Sequence, residues 1–255
     1  MKVFLLANNI VGLQICQFLR EAGDEIVGLA IHPKEKQKHT DEIIKASGMP
    51  PELVFAGESL REPATLEKIR SLGAEMAIAA FWGVILKKPF LDLFPRGCIN
   101  FHPAYLPYSR GMNPNVWPIV EHTPAGVSLH FVNENIDEGG IIARRQIEIE
   151  PTDTGGSLYD KTLLQIVELF KESWDAIKKG ETKPIDQTKM EHTFHYARDI
   201  EKLDVVELGR QCTAQQLIDQ IRSRTYGNSS YAYFIDEKGR KVEIGLFLRY
   251  KEEKK

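Results

Sequence analysis

The chain has 255 residues, 42% of them hydrophobic and 27% charged, with a formal net charge of −3. That length fits one large domain, or one domain with a small annex, and the composition is that of a globular protein with a real core. The charge excludes a basic field for nucleic acid, and no stretch approaches the roughly 20 apolar residues of a membrane span.

Residues 2–7 (KVFLLA) read as a buried first strand. The apolar run ends at two asparagines, too early for the core of a secretion signal, so a cytoplasmic protein is expected. Val11, Ile15, Phe18, Leu19 and Ala22 fall on one face and predict a helix of about 12 residues closed near Gly23. Residues 25–32 (EIVGLAIH) read as a second strand. Strand, helix, strand at the N-terminus points to an α/β protein with a Rossmann-like, mostly parallel sheet flanked by helices.

Residues 33–63 are polar and mixed, and read as loops with short helices. A helix at 64–72 leads to a buried strand at 74–80 and an apolar loop, Phe81-Trp82-Gly83-Val84-Ile85-Leu86. A strand at 98–102 follows, and NPNVWPIV predicts a short helix limited by Pro118. Residues 126–132 (GVSLHFV) and 141–149 read as two more strands. Leu163, Ile166, Val167, Phe170, Trp174 and Ile177 form the core stripe of a long helix at 156–179.

Composition shifts at 180–189, which reads as a linker. Beyond it, Thr213 and Gln216 are spaced as a capping box, and residues 231–250 read as a β-hairpin turning near Lys238–Gly239. The expected organisation is a catalytic domain over 1–185 and a small C-terminal α+β subdomain over 190–255. Cys16, Cys98 and Cys212 fit neither a CxxC pair nor a disulfide framework, and read as small buried residues in a reducing compartment.

Several chemistries lack their residues. ANNIVGL follows the first strand in place of GxGxxG, and no phosphate-loop or GxSxG pattern occurs. His192 and His195 have no second cluster to complete a metal site, so no metal is expected, and they read as structural or substrate-edge residues.

What remains is the segment CINFHPAYLPYSRGMNPNVW. A strand turns positions two apart to one face, and Pro103 and Pro107 force the chain out of the sheet just after His102. Asn100 and His102 then project together where open α/β sheets hold their ligands. A third group, Asp137, precedes Gly139 and Gly140 in the loop after strand 126–132. That loop would lie beside His102 if the two strands were parallel neighbours.

An amide, an imidazole and a carboxylate suit acyl transfer to an amine. His102 can accept the amine proton, Asn100 can donate to the developing oxyanion, and Asp137 can hold the imidazole in one tautomer. Taken singly, each has a plainer reading as turn chemistry. His130, on the polar face of its strand with Ser128, reads either as bordering this site or as structural.

Asn100-Phe101-His102-Pro103, Leu106-Pro107, Arg110-Gly111, Pro114 and Asp137-Glu138-Gly139 form a long ordered pattern. Residues 99–140 thereby resemble the formyltransferases that use 10-formyltetrahydrofolate. The resemblance matches Asn100, His102 and Asp137 to that family's catalytic residues. It implies a folate pocket at Phe81, Trp82, Gly83, Val84, Ile85 and Leu86, a loop that alternatively packs the core. The segment LPYSRGMNPNVWPI and the tail look most like the sugar N-formyltransferases, which act on nucleotide-linked 4-amino-4,6-dideoxyhexoses for surface polysaccharides such as lipopolysaccharide O-antigens.

Arg110, Gly111, Met112, Asn113 and Tyr226 are then expected to contact the nucleotide sugar, with Lys161 and Tyr231 as further candidates. A homodimer is expected, and neither nucleic acid nor membrane as a partner. The alternatives are methionyl-tRNA formyltransferase, whose longer C-terminal barrel and RNA substrate fit this tail and charge poorly, a deformylase, and a non-catalytic folate- or nucleotide-binding relative.

Overall fold

The N-terminal apolar run becomes β1 (Lys2–Ala7), buried from Val3 onwards. In the computed structural model, which describes residues 1–251, it is followed by α1 (Asn9–Glu21), β2 (Glu25–Ile31) and α2 (Thr40–Ser47). Next come β3 (Val54–Ala56), α3 (Pro63–Ser71), β4 (Met76–Ala80), α4 (Lys88–Leu91) and β5 (Cys98–His102). Then follow β6 (Arg110–Gly111), α5 (Trp117–Glu121), β7 (Ala125–Phe131), β8 (Ile141–Ile147) and α6 (Gly155–Lys179). The rest comprises β9 (Phe194–His195), α7 (Glu201–Asp204), α8 (Ala214–Ser223), β10 (Thr225–Tyr226), β11 (Ser229–Ser230), β12 (Tyr233–Ile235) and β13 (Lys241–Glu243).

Seven strands form one sheet in the order β3-β2-β1-β4-β5-β7-β8. The pairs from β3 to β5 are parallel. This is the mostly parallel α/β sheet expected from the alternation of apolar strands and amphipathic helices. The pairing of β5 with β7 departs from expectation. It is antiparallel, with Ile99 opposite Phe131 and His102 opposite Ser128.

Two compact units alternate along the chain: residues 1–102, 128–144 and 164–189 form the first, and 103–127, 145–163 and the chain from 190 onward the second. In the first unit Phe4 packs against Phe55, Phe90 and Phe94 at 5.7, 5.8 and 5.8 Å. On the sheet's other face Phe101 meets Phe170 of α6 at 4.9 Å, and the predicted apolar stripe of α6 is core except for Leu163, which is half-buried. The carboxylate of Asp24 accepts from the Trp174 indole at 2.6 Å and pairs with the Met1 ammonium at 3.1 Å, tying α6 to the start of β2.

The second unit carries the annex, and its separate core is thin. Val206, Ile221 and Ala232 are buried, with Leu217 and Phe234 packed against them. A buried side chain contributes only about 1.5–3 kcal/mol, against about 1–2 kcal/mol of backbone entropy per ordered residue. Leu208, Tyr231 and Phe247 stay 70%, 61% and 85% exposed. The capping box forms as predicted, with Thr213 Oγ1 accepting from Gln216 N and Gln216 Oε1 from Thr213 N. The hairpin β12–β13 turns through Gly239.

Four local readings are corrected. Residues 54–56 form a strand too short for its periodicity to register. Pro118 sits in the first turn of α5 rather than at its limit, where its missing N–H is harmless. The 180–189 stretch is mostly exposed, as a linker would be, but it is tethered, with Ile185 bridging Ile141 through the backbone and Gln187 fully buried. Cys16 and Cys98 are buried, and burial pushes the Cys16 thiol up to about 11, but Cys212 is exposed. Among the described residues no helix is long and apolar enough to cross a membrane.

Candidate active site

Asn100 and His102 leave β5 on one face because Ile99 and Phe101 take the other. The cross-strand register places His130 opposite Asn100 and Ser128 opposite His102, so all four share that face. Asn100 Nδ2 lies 3.2 Å from His130 Nε2, and His130 Nδ1 lies 2.9 Å from the Phe131 carbonyl. A carbonyl only accepts, so Nδ1 carries a proton, and in the neutral ring Nε2 is left to accept from the Asn100 amide.

The antiparallel pairing has a consequence for Asp137. Phe131, at the end of β7, lies beside the start of β5, far along the strand from His102. The 132–140 loop therefore turns back over the sheet. Asp137 Oδ2 arrives 3.6 Å from His102 Nδ1, and Oδ1 arrives 3.5 Å from His130 Nε2. The predicted trio is thus assembled, by a route other than the one expected.

Asp137 adopts a left-handed conformation, φ 54°. A Cβ on Gly139 would overlap the Phe131 carbonyl, so only glycine lets the loop lie this close to β7. Gln187 braces the loop from outside, its amide nitrogen donating to the carbonyls of Asp137 at 3.0 Å and Gly139 at 2.6 Å.

His102 is 5% exposed. An imidazole backed by a carboxylate can accept a proton from an attacking amine. A neighbouring amide N–H can meet a developing oxyanion. Among the described residues no group of three or more His, Cys, Asp or Glu side chains is arranged to hold a metal ion.

Residues 81–86 leave the same edge of the sheet, because β4 runs parallel to β5 with Ala79 opposite Asn100. Phe81 is left-handed, φ 57°. Trp82 and Leu86 belong to the core, whereas Ile85 is 55% exposed. Val84 packs against that core from a partly buried position, so the loop is largely core-packing, with Ile85 its exposed hydrophobic residue. His32, just after β2, stands edge-on to Trp82 at 4.4 Å, and the Gly83 N–H donates to its Nε2 at 3.2 Å.

The other predicted contacts lie in the second unit. Arg110 and Gly111 form β6, paired with Phe194 and His195 of β9. Arg110 is only 2% exposed, while Met112 is 53% exposed and Asn113 is left-handed. His195 stacks on Trp117 at 3.8 Å and sits 3.3 Å from Glu121, a structural place for that histidine. Asn115 Nδ2 donates to the Gly155 carbonyl and to the Tyr226 hydroxyl, both at 2.8 Å. Burial pushes the Tyr226 phenol up, against the opposing pull of Asn115 and Arg224. Tyr226 lines a cavity of about 390 Å³ with Gly156, Ser157 and Phe247. Lys161 is paired with Asp153 at 2.6 Å. A wider groove of about 710 Å³, lined by Pro118, His122, Gln146 and Arg222, contains none of the predicted residues.

His130, Asn115, Gln187 and His32 were not singled out as site residues from sequence. Only His130 carried a signal, its place on the polar face of a predicted strand.

A family model described as Formyl transferase matches residues 13–172, and one described as N-formyltransferase dimerization C-terminal domain matches residues 199–250. The dTDP-4-amino-4,6-dideoxyglucose formyltransferase of Mycobacterium tuberculosis is 32% identical over 151 residues, covering 59% of this chain and 64% of that protein. The methionyl-tRNA formyltransferase of Bacillus velezensis is 31% identical over 232 residues, covering 87% of this chain and 71% of that protein. Among solved structures, the formyltransferase PseJ from Anoxybacillus kamchatkensis was determined with UDP-4,6-dideoxy-4-formamido-L-AltNAc and tetrahydrofolate. It aligns with TM-score 0.56 and 25% identity, over 86% of this chain and 99% of its own. The match to the mycobacterial relative thus spans under two thirds of that protein's length. On the first model alone, which covers more than half of its residues, this chain belongs to the formyl transferase family.

Proposed function

We propose that the protein moves a formyl group from 10-formyltetrahydrofolate to the amine of a nucleotide-linked amino sugar, a dTDP-4-amino-4,6-dideoxyhexose. The observation that carries this reading is the His102–Asp137 pair standing beside Asn100 on one face of the sheet. The mycobacterial relative's name supports the sugar class, and the ligands of PseJ support a folate donor.

In this reading His102 accepts the proton that the sugar amine loses as it attacks the formyl carbon. Asn100 donates a hydrogen bond to the formyl oxygen as it gains charge, and Asp137 orients the imidazole and stabilises it once charged. The new C–N bond forms first, giving a tetrahedral adduct whose collapse breaks the bond to the folate N10, and His102 returns the proton to that nitrogen. His130 is a positioning residue for Asn100. Val84 and Ile85, with the loop backbone, form the folate wall. Arg110 holds its loop from within, and Gly111, Met112, Asn113 and Tyr226 face the nucleotide sugar.

Residues 1–185 form the catalytic domain and 190–255 the subdomain through which two copies pair in the cytoplasm. The C-terminal family match and the exposed Leu208, Tyr231 and Phe247 support that pairing. Methionyl-tRNA is the second reading, motivated by the Bacillus relative. The net charge of −3 favours the sugar nucleotide over tRNA.

The test is mass spectrometry of acceptors after incubation with 10-formyltetrahydrofolate, using a panel of amino-sugar nucleotides, methionyl-tRNA and a no-acceptor control. Formyl on a sugar nucleotide alone is the expected result. Formyl-methionyl-tRNA alone would overturn the substrate class, and folate release without any acceptor would point to hydrolysis.

A further inference from the structure

We infer that His32 is a positioning residue for the formyl donor, holding the backbone of the 81–86 loop through the hydrogen bond from Gly83 N–H to its Nε2. The inference rests on the reading of that loop as the folate wall and adds a residue that no motif marks, 51 positions away in the chain.

The chemistry of the contact fixes the state of the ring. A backbone N–H can only donate, so Nε2 must present a lone pair, and the single ring proton sits on Nδ1. His32 therefore performs this task as neutral imidazole. Its ring is 5% exposed and meets the edge of Trp82 at 4.4 Å and 80°. Behind Trp82 lies Gly57, where a Cβ would stand 3.1 Å from the indole, so the aromatic pair is seated firmly on the turn after β3.

The loop needs such a support. Phe81 holds a left-handed conformation that a bulky side chain disfavours, and Ile85 projects into solvent. Between them Gly83 has no side chain with which to anchor itself. The bond to His32 fixes the loop at Gly83, between buried Trp82 and exposed Ile85.

Protonation would place a second N–H against the first and cancel the bond. Burial foremost, then the nearby Lys36 charge, hold the His32 pKa below the ordinary histidine value. Lys36 is the charged group acting on the ring, and the 81–86 loop presents the Trp82 indole and the Gly83 backbone to it. Neutral imidazole is thus the favoured form, and the support is lost only as pH falls through that lowered folded value.

Two variants separate positioning from packing. His32→Phe keeps a flat ring against Trp82 and removes the acceptor, whereas His32→Gln offers an amide oxygen that does not titrate. Binding of 5-formyltetrahydrofolate, a stable donor analogue, is measured by calorimetry from pH 5 to 8. Donor KM and kcat are measured in parallel, and Gly83 amide hydrogen exchange is followed by NMR.

His32→Phe is expected to weaken analogue binding and raise donor KM by about 3- to 10-fold, the size of one hydrogen bond. Its kcat at saturating donor should stay within about twofold, while Gly83 exchanges faster. His32→Gln should bind near the parental level and lose the parent's weakening at acid pH. Parental affinity and Gly83 protection in His32→Phe would overturn the inference, as would a parental acid profile in His32→Gln. A parent protein that binds no folate at any pH would instead overturn the folate reading itself, and the donor role of His32 with it.

Discussion

Nδ1 of His102 and Oδ2 of Asp137 lie 3.6 Å apart although the strand leading to Asp137 runs opposite to the strand carrying His102. The turn after β7 therefore delivers the carboxylate by folding back, and its placement depends on the loop's own conformation.

If His102 is the base, His102→Ala and His102→Asn abolish turnover while 5-formyltetrahydrofolate still binds. Steady-state rates beside a calorimetric binding isotherm check this. Near-parental turnover in a folded His102→Ala would remove the assignment.

Asn100→Ala should lower kcat by about 10²- to 10³-fold, the usual effect of deleting an oxyanion donor. His130→Phe keeps the ring but not the acceptor for the Asn100 amide, and should lower kcat by about tenfold with donor affinity unchanged. A change confined to KM in either variant would assign it to binding.

Asp153 gives a pH prediction in the second unit. Burial raises its pKa, but hydrogen bonds from Lys161, Ser157 and the Glu150 amide outweigh that and leave it lowered. A lowered folded pKa contributes stability above the unfolded value of about 3.9, lost as pH falls through the folded value. Asp153→Asn should therefore melt at lower temperature at pH 7, by about 2–4 °C per kcal/mol lost. Its melting temperature should also fall less steeply than the parent's between pH 5 and 3. Parallel melting curves would expose the prediction as wrong.

Gly111 has φ 87°, and a Cβ there would overlap the His195 carbonyl oxygen that anchors Met112 N. Gly111→Ala should cost about 2 kcal/mol or more and release the β6–β9 pairing, read as a lower denaturant midpoint. A midpoint equal to the parent's would show that the two strands adjust.

Much of the fold was legible because the strands from 2–7 to 98–102 are bounded by glycine, proline or polar turns and carry apolar runs. The antiparallel partner of β5 was not, since neither strand's composition encodes its direction. Asn100, His102 and Asp137 stood out as chemistry at punctuated strand ends. The bond between Asn100 and His130 depends on a cross-strand register, and the β6–β9 pairing joins two-residue segments far apart in the chain. Neither leaves a periodic trace. His32 was invisible for the same reason, its partner being a backbone amide.

Gln187 lies in the stretch where composition changes, yet its amide holds two carbonyls of the loop that aims Asp137. The place where the sequence changes character is therefore not the place where the protein can be divided. A chimera joined at residue 180 would exchange the brace together with the tail and disturb a carboxylate more than forty positions upstream. One joined after Lys189 would keep the brace with the loop it supports, although it would still part β9 from its partner β6.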